Sequence, residues 1–311
     1  MTPVRSPRPR DGRLDNARCG EGVAMTGSTY RDRLDRAIDH ARAYLLGRQC
    51  ANGGFSFYRT EYLEEPDPSD TWHAVAALAR LGDKVPRREE VARFVVSQPV
   101  SAQPYGLYFR TRVFDLLDQT DPEGIAVVEA VDALPVEPPG ADASGELCAR
   151  LERLRLIVWL KNCFGQTFAK TDTARALLAM EASDGGYGKP PNLIDTRMAL
   201  SCLALCEALP SDRCARFVTR LAMPDFGFRL TEQSLLPNLE TVCAGLACCR
   251  RLGIEVPHAA DALSLILDCQ TGNGGFARAP DALPDIHLTH LALIGLETLA
   301  GPLSHPTGEL P

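Results

Sequence analysis

The sequence shows no excess of positive charge. Its 33 lysines and arginines face 40 aspartates and glutamates, a net charge of −7. A nucleic-acid duplex and an anionic membrane are both gripped through a basic face, and this composition supplies none. No apolar run reaches the roughly 18 residues that cross a bilayer. Aromatic residues make up only 6% of the chain, a thin supply for a site that must shield carbocations with ring faces. Phosphate-binding glycine loops ending in lysine, HExxH, paired CxxC and nucleophile elbows are missing, which removes the chemistries those motifs carry. Cysteine does occur, eleven times, but in an odd number and without framework spacing. Cys202, Cys206 and Cys243 fall on apolar helical faces. The cysteines therefore read as free thiols in a reducing cytoplasm, and not as a disulfide scaffold.

What is present is helix after helix. Residues 1–24 are basic, rich in Pro and Gly, and lack the apolar centre of a secretory signal. They read either as a disordered leader or as residues ahead of a true start at Met25. From Tyr30, "YRDRLDRAIDHARAYLLGRQ" places Leu34, Ile38, Ala41, Tyr44 and Leu45 at helical spacing. The turn "RQCANGGFSF" follows, and then "TWHAVAALARLG", a helix with hardly any polar surface. The unit is an amphipathic outer helix, a glycine turn and a buried inner helix.

The unit recurs. The turn returns as Gly185-Gly186-Tyr187, Gly227-Phe228 and Gly274-Gly275-Phe276, with "YGLYFRT" at 105–111 as a worn copy. Inner helices carry Thr with Ala three residues later, at Thr71, Thr173, Thr196, Thr241 and Thr289. The last three threonines are 45 and 48 residues apart, the length of one helical hairpin. Thr173 precedes Thr196 by only 23 residues, so its helix is an outer one or the repeat is irregular there. The Pro-rich segment 135–146 reads as an insertion loop, because like repeats flank it. Five or six pairs suffice to close a ring, and these inner helices are too apolar to line an open groove. The expectation is an all-α domain over 25–300: a closed alpha-alpha toroid, without strands and with a flexible tail at 301–311.

"HARAYLLGRQCANGGF" resembles the repeat shared by protein prenyltransferase beta subunits and the squalene-hopene class of terpene cyclases. Tyr44 and Leu45 stand ahead of Gln49, followed by Gly53 and Phe55. "DPSDTWHAVAALARLG" and "DIHLTHLALIGLETLAG" resemble those families' Asp-x-x-x-Thr helix starts, at Asp67 to Thr71 and Asp285 to Thr289. The resemblance spans roughly residues 30 to 300. It implies an apolar central cavity for an isoprenoid chain, with an isoprenoid diphosphate or other apolar small molecule as ligand. On the prenyltransferase side it also implies a helical-repeat partner subunit. Inner-helix N-termini gathered at one mouth would offer a positive potential to a diphosphate.

The prenyltransferase resemblance also implies a catalytic zinc, which makes a thiolate of the acceptor cysteine. The candidate ligands are Glu240, Cys243, His287 and His290. Glu240 and Cys243 share a helix face at i, i+3. Cys243 stands one residue later than the family's cysteine, and Leu288 occupies the position of its histidine. The cyclase resemblance implies Asp-x-Asp-Asp-Thr with a carboxyl as general acid. "DPSDT" supplies Asp67 and Asp70, with Ser69 at the acid's own position. The same Asp-Thr pairs also read as helix caps. Tyr58, Trp72 and His73 are candidate substrate-binding residues, with Tyr62 beside Tyr58 in the loop above. Three functions stay open: prenyl transfer, cyclisation through Asp67 or Asp70, and a toroid without chemistry that binds a lipid or a protein.

Overall fold

Asp67, Asn192, Asn238 and Asp285 each begin a helix in the same way. Each has extended backbone, and its side-chain oxygen accepts from first-turn amides. Asp67 takes Ser69 N at 2.7 Å and Asp70 N at 3.0 Å; Asn192 takes Asp195 N at 2.9 Å. Asn238 takes Thr241 N at 2.9 Å, and Asp285 takes Leu288 N at 2.5 Å. These donors have no helical carbonyl within reach, so a short polar side chain satisfies them.

The computed structural model describes residues 28–58, 63–140 and 146–303. The four caps open inner helices α2 (Pro68–Arg80), α8 (Leu193–Leu205), α10 (Leu239–Leu252) and α12 (Ile286–Ala300). Two more inner helices, α4 (Pro104–Leu116) and α6 (Leu147–Cys163), lack a side-chain cap. Outer helices alternate with them: α1 (Ser28–Leu46), α3 (Arg88–Ser97), α5 (Gly124–Asp132), α7 (Lys170–Ala179), α9 (Asp212–Arg220) and α11 (Ala259–Asp268). Each inner helix packs on the next, and α12 packs back on α2, so the ring is closed. This is the alpha-alpha toroid expected from the repeats. Thr173 lies on outer helix α7, which explains the broken period. No helix among the described residues is long and apolar enough to cross a membrane.

The glycine turns act as fasteners between repeats. The amides of Phe55, Tyr187 and Phe276 donate to Thr71, Thr196 and Thr289 Oγ1 at 3.0, 3.0 and 2.9 Å. Those hydroxyls in turn donate to the cap carbonyls of Asp67, Asn192 and Asp285 at 2.7, 2.7 and 2.6 Å. One threonine thus serves as acceptor and donor at once. Gly53 has φ +94°, and an added Cβ would sit 2.4 Å from the Glu90 backbone of α3. Gln49 Nε2 bridges Gly53 O at 3.2 Å and Pro86 O at 2.9 Å, stapling its own turn to the loop ahead of the next outer helix. The aromatic rings Phe55, Tyr187, Phe228 and Phe276 are fully buried beneath the turns. In α10 the cap precedes its threonine by three residues, not four. Thr241 Oγ1 accordingly turns to Asn238 Oδ1 at 3.1 Å.

Two expectations change. Short antiparallel pairs do occur at the turns: β1 (Tyr187–Gly188) with β2 (Pro191–Asn192), β3 (Ala222–Met223) with β4 (Gly227–Phe228), and β5 (Phe276–Ala277) with β6 (Pro284–Asp285). They are two residues long, too short to produce an alternating pattern. "YGLYFRT" is no turn but lies within α4, whose start is set by Pro104 in the first turn. The described part of the Pro-rich segment, 135–140, is the connection from outer α5 to inner α6. The leader 1–24 and tail residues 304–311 lie outside the described residues.

Candidate functional site

Inner helices α2, α4 and α6 turn aromatic and cationic side chains toward one another. Trp72 meets Tyr108 edge-on at 5.7 Å, and Tyr108 meets Trp159 at 4.9 Å. The Arg112 guanidinium lies between the two indoles, 5.0 Å from Trp72 and 5.2 Å from Trp159. Arg155 lies 5.4 Å over the Tyr108 ring. Each such contact contributes about 0.5–2 kcal/mol, depending on how far the cation is desolvated. The contact between these three inner helices is therefore aromatic and cationic.

A second feature spans α6, α8 and α10. Arg155 and Arg197 lie near enough to Arg251 for their charges to act on it. Burial lowers the Arg251 pKa, and the charges of Arg250, Arg155 and Arg197 lower it further. Arg251 is exposed to solvent. The charge of Arg155 also acts on His73 of α2. Among the described residues none of the three arginines makes an ion pair or a side-chain hydrogen bond, and Arg197 Nε is buried without a partner. Gathered like charges without a counter-charge are costly unless an anion joins them.

The helix N-termini differ from expectation. Asp70, Asp195, Glu240 and the cap Asp285 stand in or beside the first turns. The positive dipole ends are met by the protein's own carboxylates. Asp70 accepts from Phe57 N at 2.5 Å. Burial, with the charge of Asp67 added, raises its pKa to about 7. Burial also raises the pKa of Asp195 and of Asp285.

Residues 18–118 and 148–300 match the model of the prenyltransferase alpha-alpha toroid domain. The chain belongs to that family. No curated protein matches it in sequence. Solved structures share the fold at low identity. A variant of the type II terpene cyclase MstE from Scytonema, in complex with geranylgeranyl dihydroxybenzoate as substrate, has a TM-score of 0.59 at 13% identity over 88% of this chain and 99% of its own. Protein geranylgeranyltransferase-I from Candida albicans, complexed with GGPP, gives 0.58 at 14% identity over 84% and 90%. A glycosidase variant in complex with glucose gives 0.57 at 13% identity over 88% and 98%.

In this prenyltransferase-family toroid the four candidate zinc ligands are not brought together. Glu240 is held by Arg278, whose Nε donates to it at 2.6 Å. The buried Cys243 thiol points at Leu291 O, 3.5 Å away, and burial pushes its pKa far above the thiol range. His290 is buried against His73, while His287 is exposed. No cluster of three His, Cys, Asp or Glu side chains among the described residues could hold a metal ion. The donors do not fit zinc, because a thiol ligand must ionise and burial of this one outweighs the nearby charge of Arg197.

Of the other candidates, Asp67 is the α2 cap and Asp70 ties the preceding loop. Trp72 and His73 do meet in the ring. Tyr58 is 55% exposed, with its ring 6.5 Å from that of Phe57; Tyr62 lies outside the described residues. Sequence reasoning passed over Arg112, Arg155, Arg197 and Arg251. Their signal was an arginine set in an otherwise apolar inner helix, as in "RLRLIVWL" and "DTRMALS".

Proposed function

We propose that this toroid binds an isoprenoid diphosphate, its diphosphate on Arg155, Arg197 and Arg251 and its chain against Trp72, Tyr108 and Trp159. The supporting observation is the set of three guanidiniums from three inner helices, none of which makes an ion pair among the described residues. Arginine presents planar, always-charged donors that match phosphate oxygens. The aromatic wall beside them supplies apolar surface for a prenyl chain. Prenyl transfer is the reaction class this arrangement fits best, since a bound diphosphate is a leaving group.

Calorimetry with geranylgeranyl diphosphate and with inorganic pyrophosphate tests the reading. Arg155→Gln, Arg197→Gln and Arg251→Gln should each weaken both ligands about tenfold or more, the loss of one charge-assisted contact. Removing one member of this like-charged trio should leave Tm unchanged or higher. Wild-type protein that binds neither ligand at low salt would sink the proposal.

A second reading rests on Asp70, whose raised pKa would let it act as an acid near neutral pH in a cyclase-like reaction. Loss of cyclisation in Asp70→Asn with Tm retained would favour it. Binding of diphosphates through the arginines would favour the first.

A further inference from the structure

The first and last inner helices meet through four side chains. Glu297 of α12 pairs with Arg80 of α2. Arg80 Nε lies 3.4 Å from His290 Nε2, and His290 Nδ1 faces His73 Nδ1 at 3.0 Å. The proton positions follow by elimination. A guanidinium only donates, so His290 Nε2 accepts and the neutral ring keeps its proton on Nδ1. That N–H donates to His73 Nδ1, which leaves the His73 proton on Nε2. Burial favours the neutral form of both rings, holding His73 at about 3 and His290 well below its ordinary value.

His73 lies between the rings of His287 on α12, at 4.6 Å, and Phe109 on α4, at 6.2 Å. It is only partly buried, whereas His290 is 6% exposed. Its Nε2–H has no partner among the described residues.

We propose that Arg80 and His290 are positioning residues that fix the His73 tautomer, so that His73 presents an uncharged Nε2–H donor to an oxygen of the ligand's head group. The inference rests on the anion-binding reading for its ligand, but not for its tautomers. An uncharged donor adds direction without adding repulsion to the arginines nearby. If the ring pair served only to close the helical ring, the Nε2–H would meet no ligand.

Long-range ¹⁵N–¹H correlation spectra of the full chain read the proton positions, with the His73 signals identified by their loss in His73→Gln. The expected result is His290 protonated on Nδ1 alone and His73 on Nε2 alone. In Arg80→Met, His290 should revert to the commoner Nε2–H form. A wild-type His290 protonated on Nε2, or on both nitrogens, would overturn the chain.

Binding of inorganic pyrophosphate tests the donor. His73→Phe should lose about tenfold in affinity, while His73→Gln, which keeps an N–H, should stay within about threefold of wild type. Equal binding by His73→Phe and wild type overturns the donor role. No binding by the wild type overturns the anion-site reading, and the spectra then decide the positioning chain separately.

Discussion

Gln270 Nε2 donates to the carbonyl of Ala37 at 2.8 Å and to that of Gly274 at 2.9 Å, tying the last glycine turn to the first outer helix. Gln49 makes the same pair of bonds within the ring. At Gln270 the partner is more than two hundred residues away in sequence, so the bond belongs to ring closure. Arg33 with Asp268 and Arg80 with Glu297 join the same ends.

Gln270→Ala leaves two backbone carbonyls without their donor. The expected cost is about 1–3 kcal/mol, a Tm fall of several degrees. Gln49→Ala should cost a similar amount. Thermal unfolding followed by circular dichroism reads both, and a Gln270→Ala Tm equal to wild type would show that the seam bond carries no net stability.

Gly274 has φ +93°, and a Cβ there would lie 2.3 Å from the His40 carbonyl of α1. Gly274→Ala should therefore destabilise by about 1–3 kcal/mol or more, from backbone strain and the forced shift of α1. Gly106, inside α4, has nothing within 4 Å of the same position. Gly106→Ala should stabilise by about 0.5–1 kcal/mol through lower chain entropy. Opposite signs in chemical denaturation are the expected result; equal effects would remove the packing argument.

Asp70 links stability to pH in a defined direction. Its folded pKa is about 7, against 3.8 for an unperturbed aspartate. Between those values the folded chain holds more protons than the unfolded one. The contribution is fully present below the unfolded value and is lost as pH rises through 7. Asn at this position can still accept from Phe57 N but carries no charge. Asp70→Asn should thus gain Tm relative to wild type between about pH 5 and about pH 8. A difference that stays flat across that range would show that Asp70 is ionised throughout.

The repeat was legible because its determinants are local. Gln49, Gly53, Phe55, Asp67 and Thr71 act within one hairpin, and the same types recur at Gln270, Gly274, Phe276, Asp285 and Thr289. The candidate site was less legible. Spacing placed Glu240 and Cys243 on one helix face, yet Glu240 is engaged by Arg278 and Cys243 by the Leu291 carbonyl. Trp72 and His73 were found because they stand beside a recognisable cap. Arg155 and Arg251 stand beside none.

By itself the sequence determined the hairpin unit, its turn chemistry and the closure of repeats into a toroid. Each of these follows from residues within a few turns of one another and from a periodicity that survives divergence. Only the tertiary structure decided which side of each inner helix faces the bore. Helices such as α8 are apolar on nearly every side, so periodicity marks no inner face. Closing the ring resolves that ambiguity. It sets Arg155 and Arg197 near Arg251 and joins His73 to His290, relations between positions that no local pattern connects.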